Sequence, residues 1–218
     1  MDKIKNKVII VDYQLGNLFS VKQACDTVGM NAKISSEKED ILNADSIILP
    51  GVGAFIEAMN NLKKLDLDVV IKEKVNAGTP IFGICLGLQL LFTESEEFGA
   101  GNGLNLISGV IKRFPENFEG RKIKVPHIAW NTVYKSKQNW ESTPLNELNN
   151  EDFMYFIHSY YVKPEDESVI LTSTNYDSIE FCSAIMQKNI FATQFHPEKS
   201  AEKGVSIYKN WASIHNLI

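Results

Sequence analysis

Hydrophobic positions along the chain gather in short runs, and their spacing changes from one run to the next. Residues 7–13 (KVIIVDY) are apolar and rich in β-branched side chains, the pattern of a buried strand. Gly16-Asn17 then opens a stretch in which Leu18, Val21, Ala24, Cys25 and Val28 recur at helical spacing, with Gly29 at a C-cap position. Residues 31–34 and 46–50 read as two more strands, the second running into Gly51-Val52-Gly53. Helices are predicted over 54–62 and 67–76, the latter closed by Gly78. Residues 79–92 (TPIFGICLGLQLLF) begin as a strand and turn through Gly83-Ile84-Cys85-Leu86-Gly87 into a helix bearing Leu88, Leu90, Leu91 and Phe92. This alternation predicts an α/β fold with a mostly parallel central sheet and helices on both faces. Sites in such sheets form beyond the carboxyl ends of the strands, where Gly51-Val52-Gly53 and Cys85 both fall.

The pattern changes after residue 99. Short strand-like pieces at 110–114, 122–125 and 128–134 suggest antiparallel strands or loops added beside the main sheet. Residues 135–150 are polar, contain Pro144, and are expected to form an exposed connection with a short helix. A strongly aromatic strand is expected at 153–162 (FMYFIHSYYV), with three more at 169–174, 181–186 and 190–194 and a closing helix at 204–211. No repeat, low-complexity tract or linker divides the chain, so 1–218 is expected to be one domain.

Composition narrows the function classes. Of the 218 residues, 44% are hydrophobic and 22% charged, ordinary globular values. A net charge of -5 gives no basic footprint for nucleic acid. No apolar run is long enough to span a bilayer, and the polar start (1–7) lacks a signal-peptide pattern. Cys25, Cys85 and Cys182 are odd in number and far apart, without a C-x-x-C pair. That argues against a disulfide framework or a zinc site and for a reducing cytoplasm. No metal or cofactor is expected.

Of the three cysteines, Cys25 and Cys182 sit on patterns of packed side chains, whereas Cys85 lies between glycines at a strand-to-helix turn. That is the elbow arrangement of nucleophilic hydrolases, with sulfur in place of oxygen. A helix N-terminus favours thiolate, and its free amides can hold an anion. A lone buried cysteine is more often structural, but here a His-x-Glu follows far downstream. His196 and Glu198, two apart at a strand end, can point the same way, and Pro197 fixes the backbone between them. Cys85, His196 and Glu198 thus supply nucleophile, base and orienter. The amide of Leu86 and the backbone of Gly51 to Gly53 are candidate oxyanion donors. Gly51-x-Gly53 could instead be half of a phosphate loop, but position 56 is isoleucine where a third glycine belongs.

Gly83-Ile-Cys85-Leu-Gly87-Leu-Gln89 with Gln194-Phe-His196-Pro-Glu198 resembles the class I (triad) glutamine amidotransferases. The stretches Val11-Asp12-Tyr13, Gly16-Asn17-Leu18, Pro50 to Gly53, Pro126 to Asn131 and Tyr155 to Tyr161 narrow the resemblance. They are similar to the glutaminase-subunit branch of imidazole glycerol phosphate synthase. The resemblance spans almost the whole chain and implies a flavodoxin-like three-layer fold. It implies a thioester mechanism on glutamine, with Val52 or Gly53 and Leu86 forming the oxyanion hole and a peptide flip at Gly51-Val52 completing it. A resting loop that is not ready for chemistry is therefore expected in the chain alone. It further implies substrate contacts from Gly51, Gln89, Glu97, Ser159 and Tyr160, with Glu97 at the end of the elbow helix. Trp130, Asn131, Tyr155 and Lys199 match the branch's docking and gating residues. The implied partner is a (β/α)8-barrel synthase (cyclase) in a heterodimer, delivering ammonia into histidine biosynthesis. Ala129 departs from the glycine usual in the branch and leaves open a paralogous partner in surface-sugar amidation. An idle scaffold and a cysteine peptidase on the same elbow are the other readings. His127 and His158 are expected to make structural hydrogen bonds, His215 to be exposed, and Trp130 to be either a docking anchor or core.

Overall fold

The computed structural model describes residues 7–97 and 101–218. Residues 1–6 and Gly99, where the added region was expected to begin, lie outside that range. Strands are β1 (Val8–Val11), β2 (Ala32–Ser35), β3 (Ser46–Gly51), β4 (Ile81–Cys85), β5 (Phe92–Ser95), β6 (Gly101–Asn102), β7 (Ile107–Arg113), β8 (Asn117–Phe118) and β9 (Arg121–Lys122). They continue with β10 (His127–Thr132), β11 (Tyr134–Lys135), β12 (Phe153–His158), β13 (Tyr160–Pro164), β14 (Ile170–Tyr176), β15 (Ile179–Gln187) and β16 (Ile190–Thr193). Helices are α1 (Leu18–Thr27), α2 (Lys38–Leu42), α3 (Phe55–Lys64), α4 (Leu67–Asn76), α5 (Leu86–Leu90) and α6 (Ala201–Ile214).

The five strands β2-β1-β3-β4-β16 form a parallel block that occupies one end of the sheet, with β2 at its edge. Beyond β16 the sheet continues through β15, β13 and β7, each pairing antiparallel to the one before. Alternate residues of the parallel strands face different cores, as extended geometry requires. Ile9, Val11, Ile47 and Leu49 pack with α3 and α4, whereas Val8, Ile10, Ile48 and Phe82 pack with α1 and α6. With both faces covered, these strands read as continuous apolar runs, which is why the sequence places them well. Asn17 caps α1 by accepting from the Ser20 amide, and Gly29 takes a left-handed conformation (φ 84°) just past its end.

Four expectations need correction. The helix α2 lies between β2 and β3, where the sequence pattern placed no element. The elbow helix is only five residues long, and Phe92 begins β5 instead of continuing it. The aromatic stretch is two strands, not one. At Ser159 the chain leaves β12, which pairs with β10 in a separate ladder, and enters the main sheet as β13 against β7. Residues 135–150 form no helix and are not simply exposed. Trp140, Leu145 and Leu148 are buried, and the Trp140 indole N–H donates to the Leu171 carbonyl at 2.9 Å.

Candidate active site

Cys85 ends β4 and precedes α5 with φ 54° and ψ -107°, a conformation rare for a residue with a Cβ. Strain of this kind costs on the order of 1–3 kcal/mol and persists where the surroundings enforce it. Here they do. A Cβ on Gly87 would fall inside the carbonyl oxygen of Leu49, so α5 lies directly on β3 only because that residue is glycine. Gly51 is opposite Cys85 in the β3–β4 register, and a Cβ on it would collide with the Tyr13 hydroxyl and Leu86. The Tyr13 hydroxyl donates to the Pro50 carbonyl at 2.7 Å and so pins the strand beside Cys85.

His196 Nδ1 lies 2.8 Å from Glu198 Oε1, with both side chains almost fully buried (2% and 1% exposed). This excludes a solvated His-Glu pair on the surface. The geometry differs from the extended one expected, since Pro197–Lys199 form a single helical turn that brings Glu198 back to the imidazole. Burial of His196 disfavours its charge, but Cys85 and Glu198 outweigh that and push its pKa up to about 10. Among the described residues, neither its Nε2 nor Glu198 Oε2 meets a hydrogen-bond partner. Ser200 holds the turn, accepting from the Tyr155 amide at 3.0 Å and donating to the His196 carbonyl at 2.7 Å.

Cys85 opens on a cavity of about 300 Å³, at the small end of ligand pockets. Val52, Gly53, Leu86, Gln89, Glu97, Ser159 and Tyr160 are among the residues that line it. Gly53 is left-handed (φ 98°) and Val52 is exposed. Gly51, expected to touch substrate, is not among the lining residues and instead packs under the elbow. Glu97 lies beyond β5, not at the end of the elbow helix. Its Oε2 accepts from the Phe55 amide at 2.6 Å, and burial raises its pKa against that bond. Gln89 Nε2 donates to the Tyr160 carbonyl (3.0 Å) and to Gln194 Oε1 (3.1 Å), so only its oxygen is left to meet a ligand.

Trp130 is half exposed on β10, which removes the core reading, and it meets Tyr155 edge-on at 6.1 Å. The Lys199 ammonium lies 5.9 Å from the Tyr155 ring centre. Asn131, by contrast, points inward: Nδ2 donates to the Asn175 carbonyl at 2.9 Å and lies 3.3 Å from His127 Nε2. His127 and His158 are hydrogen-bonded to each other at 3.1 Å, as expected of structural histidines. His215 is half-buried against Trp211, not exposed. Cys25 and Cys182 are buried and burial pushes both thiols up, to about 12 for Cys25. Among the described residues, no group of three or more His, Cys, Asp or Glu is placed to hold a metal ion. Among them, no helix is long and apolar enough to cross a membrane. Sequence reasoning gave no role to Gln194, whose Nε2 lies 3.7 Å from Cys85 Sγ. The β4–β16 register carries the signal, since Ile84 pairs with Thr193 and the next residues are Cys85 and Gln194.

The family model of glutamine amidotransferase class-I matches residues 9–213. The chain belongs to this family. This amidotransferase is 43% identical over 210 residues to the imidazole glycerol phosphate synthase subunit HisH of Geobacter sulfurreducens, covering 95% of this chain and 99% of that one. It is 44% identical over 206 residues to the HisH subunit of Aquifex aeolicus, covering 94% and 95%. Among solved structures, the fold is shared with a crystal structure of a glutamine amidotransferase (TM-score 0.71, 18% identity, 95% and 98% covered). It is likewise shared with PurLQS from Thermotoga maritima (TM-score 0.71, 17% identity, 96% and 99% covered).

Proposed function

We propose that the chain is the glutaminase subunit of a two-component imidazole glycerol phosphate synthase. It hydrolyses L-glutamine to glutamate and passes ammonia to a (β/α)8-barrel synthase subunit in histidine biosynthesis. The observation that carries this is Cys85 held at φ 54° on the cavity that Gln89 and Glu97 line, with the buried His196–Glu198 pair behind it. Cys85 sulfur attacks the side-chain amide carbon, and His196 takes the thiol proton and returns it to the departing ammonia. Water, deprotonated by His196, then cleaves the γ-glutamyl thioester. Glu198 orients the imidazole and stabilises its charge. The amides of Leu86 and of Val52 or Gly53 receive the oxyanion. The free oxygen of Gln89 and the carboxylate of Glu97 suit the substrate ammonium, with Ser159 and Tyr160 completing the pocket.

The proposed partner surface adjoins the cavity. Ile128, Trp130, Phe153 and Ile157 are exposed on one face of the β10–β12 ladder, and Ile157 also lines the cavity, as does exposed Val52. Contiguous apolar surface of this kind marks an interaction site. A partner docked there covers the cavity mouth, traps the released ammonia and reaches the Gly51-Val52 loop. On this reading the loop rests with its oxyanion hole incomplete until the partner docks.

The test is glutamate release by the full chain, with and without the synthase subunit and its ribonucleotide ligand. Strong stimulation by both is expected, with none in Cys85→Ala. Stimulation by a sugar-modifying synthase but not by the histidine-pathway one would reassign the partner. Equal glutamate release from Cys85→Ala would remove the glutaminase reading.

A further inference from the structure

Outside the triad, two buried histidines have both ring nitrogens engaged, and the groups at either end fix where the protons sit. At one end, the Asn131 amide is oriented by donating from Nδ2 to the Asn175 carbonyl (2.9 Å) and accepting at Oδ1 from the Thr132 amide (2.8 Å). The second Nδ2 hydrogen then meets His127 Nε2 at 3.3 Å, which makes that nitrogen an acceptor and leaves the proton on Nδ1. At the other end, His158 Nδ1 lies 2.9 Å from the Tyr160 carbonyl, which can only accept, so this nitrogen carries the proton and Nε2 does not. Between them, His127 Nδ1 and His158 Nε2 are 3.1 Å apart. Assigned independently from the two ends, the polarity agrees: Asn131 donates to His127, His127 to His158, and His158 to Tyr160.

The chain of bonds does not stop there. The Tyr160 carbonyl also accepts from Gln89 Nε2, whose other hydrogen goes to Gln194 Oε1. Gln194 Nε2 completes the run at Cys85 Sγ, 3.7 Å away. Packing fixes the members. The His127 ring is stacked between Phe156 and Tyr176, centres 5.1 and 4.0 Å away, and Gln194 is fully buried. Burial keeps His127 and His158 uncharged at neutral pH.

We propose that His127, His158 and Gln194 are positioning residues that hold Gln89 and the Cys85 sulfur in register for glutamine and tie them to β10, the strand bearing Trp130. Gln89 presents its oxygen to the substrate only while both of its amide hydrogens are occupied by Tyr160 and Gln194. Without that constraint the amide can turn and offer N–H to an ammonium, which it cannot bind. The inference rests on the glutaminase reading of this cavity.

The first measurement needs no mutation. Long-range proton–nitrogen correlation of the full-length chain is expected to show the Nδ1–H tautomer at both His127 and His158. An Nε2–H tautomer at either one overturns the proposal. The second compares His158→Phe, which loses both bonds, with His158→Asn, whose amide nitrogen takes the place of Nδ1. Both are assayed for glutamine hydrolysis in complex with the synthase subunit. The phenylalanine variant is expected to raise KM about tenfold, as loss of roughly one hydrogen bond would, with kcat changed less. The asparagine variant is expected to recover most of that KM. An unchanged KM in His158→Phe, or equal KM in the two variants, overturns the proposal. A merely structural histidine would lower the melting temperature and the active fraction without moving KM. If the phenylalanine variant does not fold, the tautomers and the KM of Gln194→Leu, expected to rise similarly, decide the matter. Glutamine hydrolysis that survives Cys85→Ala would instead remove the underlying glutaminase reading.

Discussion

Three buried histidines have their pKa values shifted in opposite directions. Burial lowers His127 to about 4 and, with repulsion from His127, lowers His158 to about 3, whereas Cys85 and Glu198 overcome burial and raise His196 to about 10. The linkage has two signs. Below the ordinary histidine pKa of about 6.5, the unfolded chain binds protons that native His127 and His158 refuse. Stability therefore falls as pH drops from there, toward about 4 for His127 and about 3 for His158, by up to about 1.4 kcal/mol per pH unit for each residue. The contribution of His196 is fully present below about 6.5 and is lost as pH rises toward about 10. Urea unfolding across pH 4 to 10 should show a maximum near neutrality. His158→Asn should flatten the acid limb and His196→Gln the alkaline one; limbs parallel to wild type would contradict this. For the chemistry, Glu198→Gln should lower kcat about 10²- to 10⁴-fold with little change in KM, checked by steady-state glutaminase kinetics. Cys85, His196 and Glu198 are legible in sequence because each residue type suits its proposed role and the flanking glycines and proline mark the backbone. Gln194 is not, because its contact with sulfur is made across 109 positions by strand register alone.

The elbow shows how an element can be right in kind and wrong in length. Leu88, Leu90, Leu91 and Phe92 suggest a longer amphipathic helix, but all of α5 is buried, so periodicity carries no information about which face is covered. The chain turns into β5 at Phe92 and leaves a five-residue helix whose seat depends on Gly87. Gly87→Ala must push α5 off β3 and should cost about 1–3 kcal/mol or more. At about 2–4 °C per kcal/mol for a chain of this size, calorimetry should find a clear drop in melting temperature, with slower alkylation of Cys85. Unchanged stability would mean that the Leu49 contact relaxes freely. The parallel block was readable because its strands are buried on both faces. The antiparallel extension was less so, since β12 and β13 read as one aromatic run and only their different partners separate them. Residues 135–150 misled because the buried positions Trp140, Leu145 and Leu148 have no helical or strand period.

For the whole molecule, the exposed face of the β10–β12 ladder sets the prediction about assembly. Trp130→Ala should weaken synthase binding by about 2 kcal/mol or more, roughly thirtyfold, if Trp130 anchors the interface. Being a half-exposed surface residue, its loss should change the stability of the isolated chain by about 0.5 kcal/mol or less. Calorimetric titration with the synthase subunit and thermal unfolding together check both halves, and unaltered affinity would move the interface elsewhere. The position of β16 has a consequence for how activity arises as the chain is made. It is the last of the parallel strands in sequence, yet it lies inside the sheet, between β4 and β15. Synthesis delivers the N-terminal part first, so the thiol of Cys85 emerges long before the turn that holds His196 and Glu198. On the proposed mechanism, until β16 slots in beside β4 a nascent chain carries a nucleophile with no base. Insertion of one strand then brings Gln194, His196 and Glu198 to it together, so that these side chains are assembled by the closing of the sheet and not by degrees.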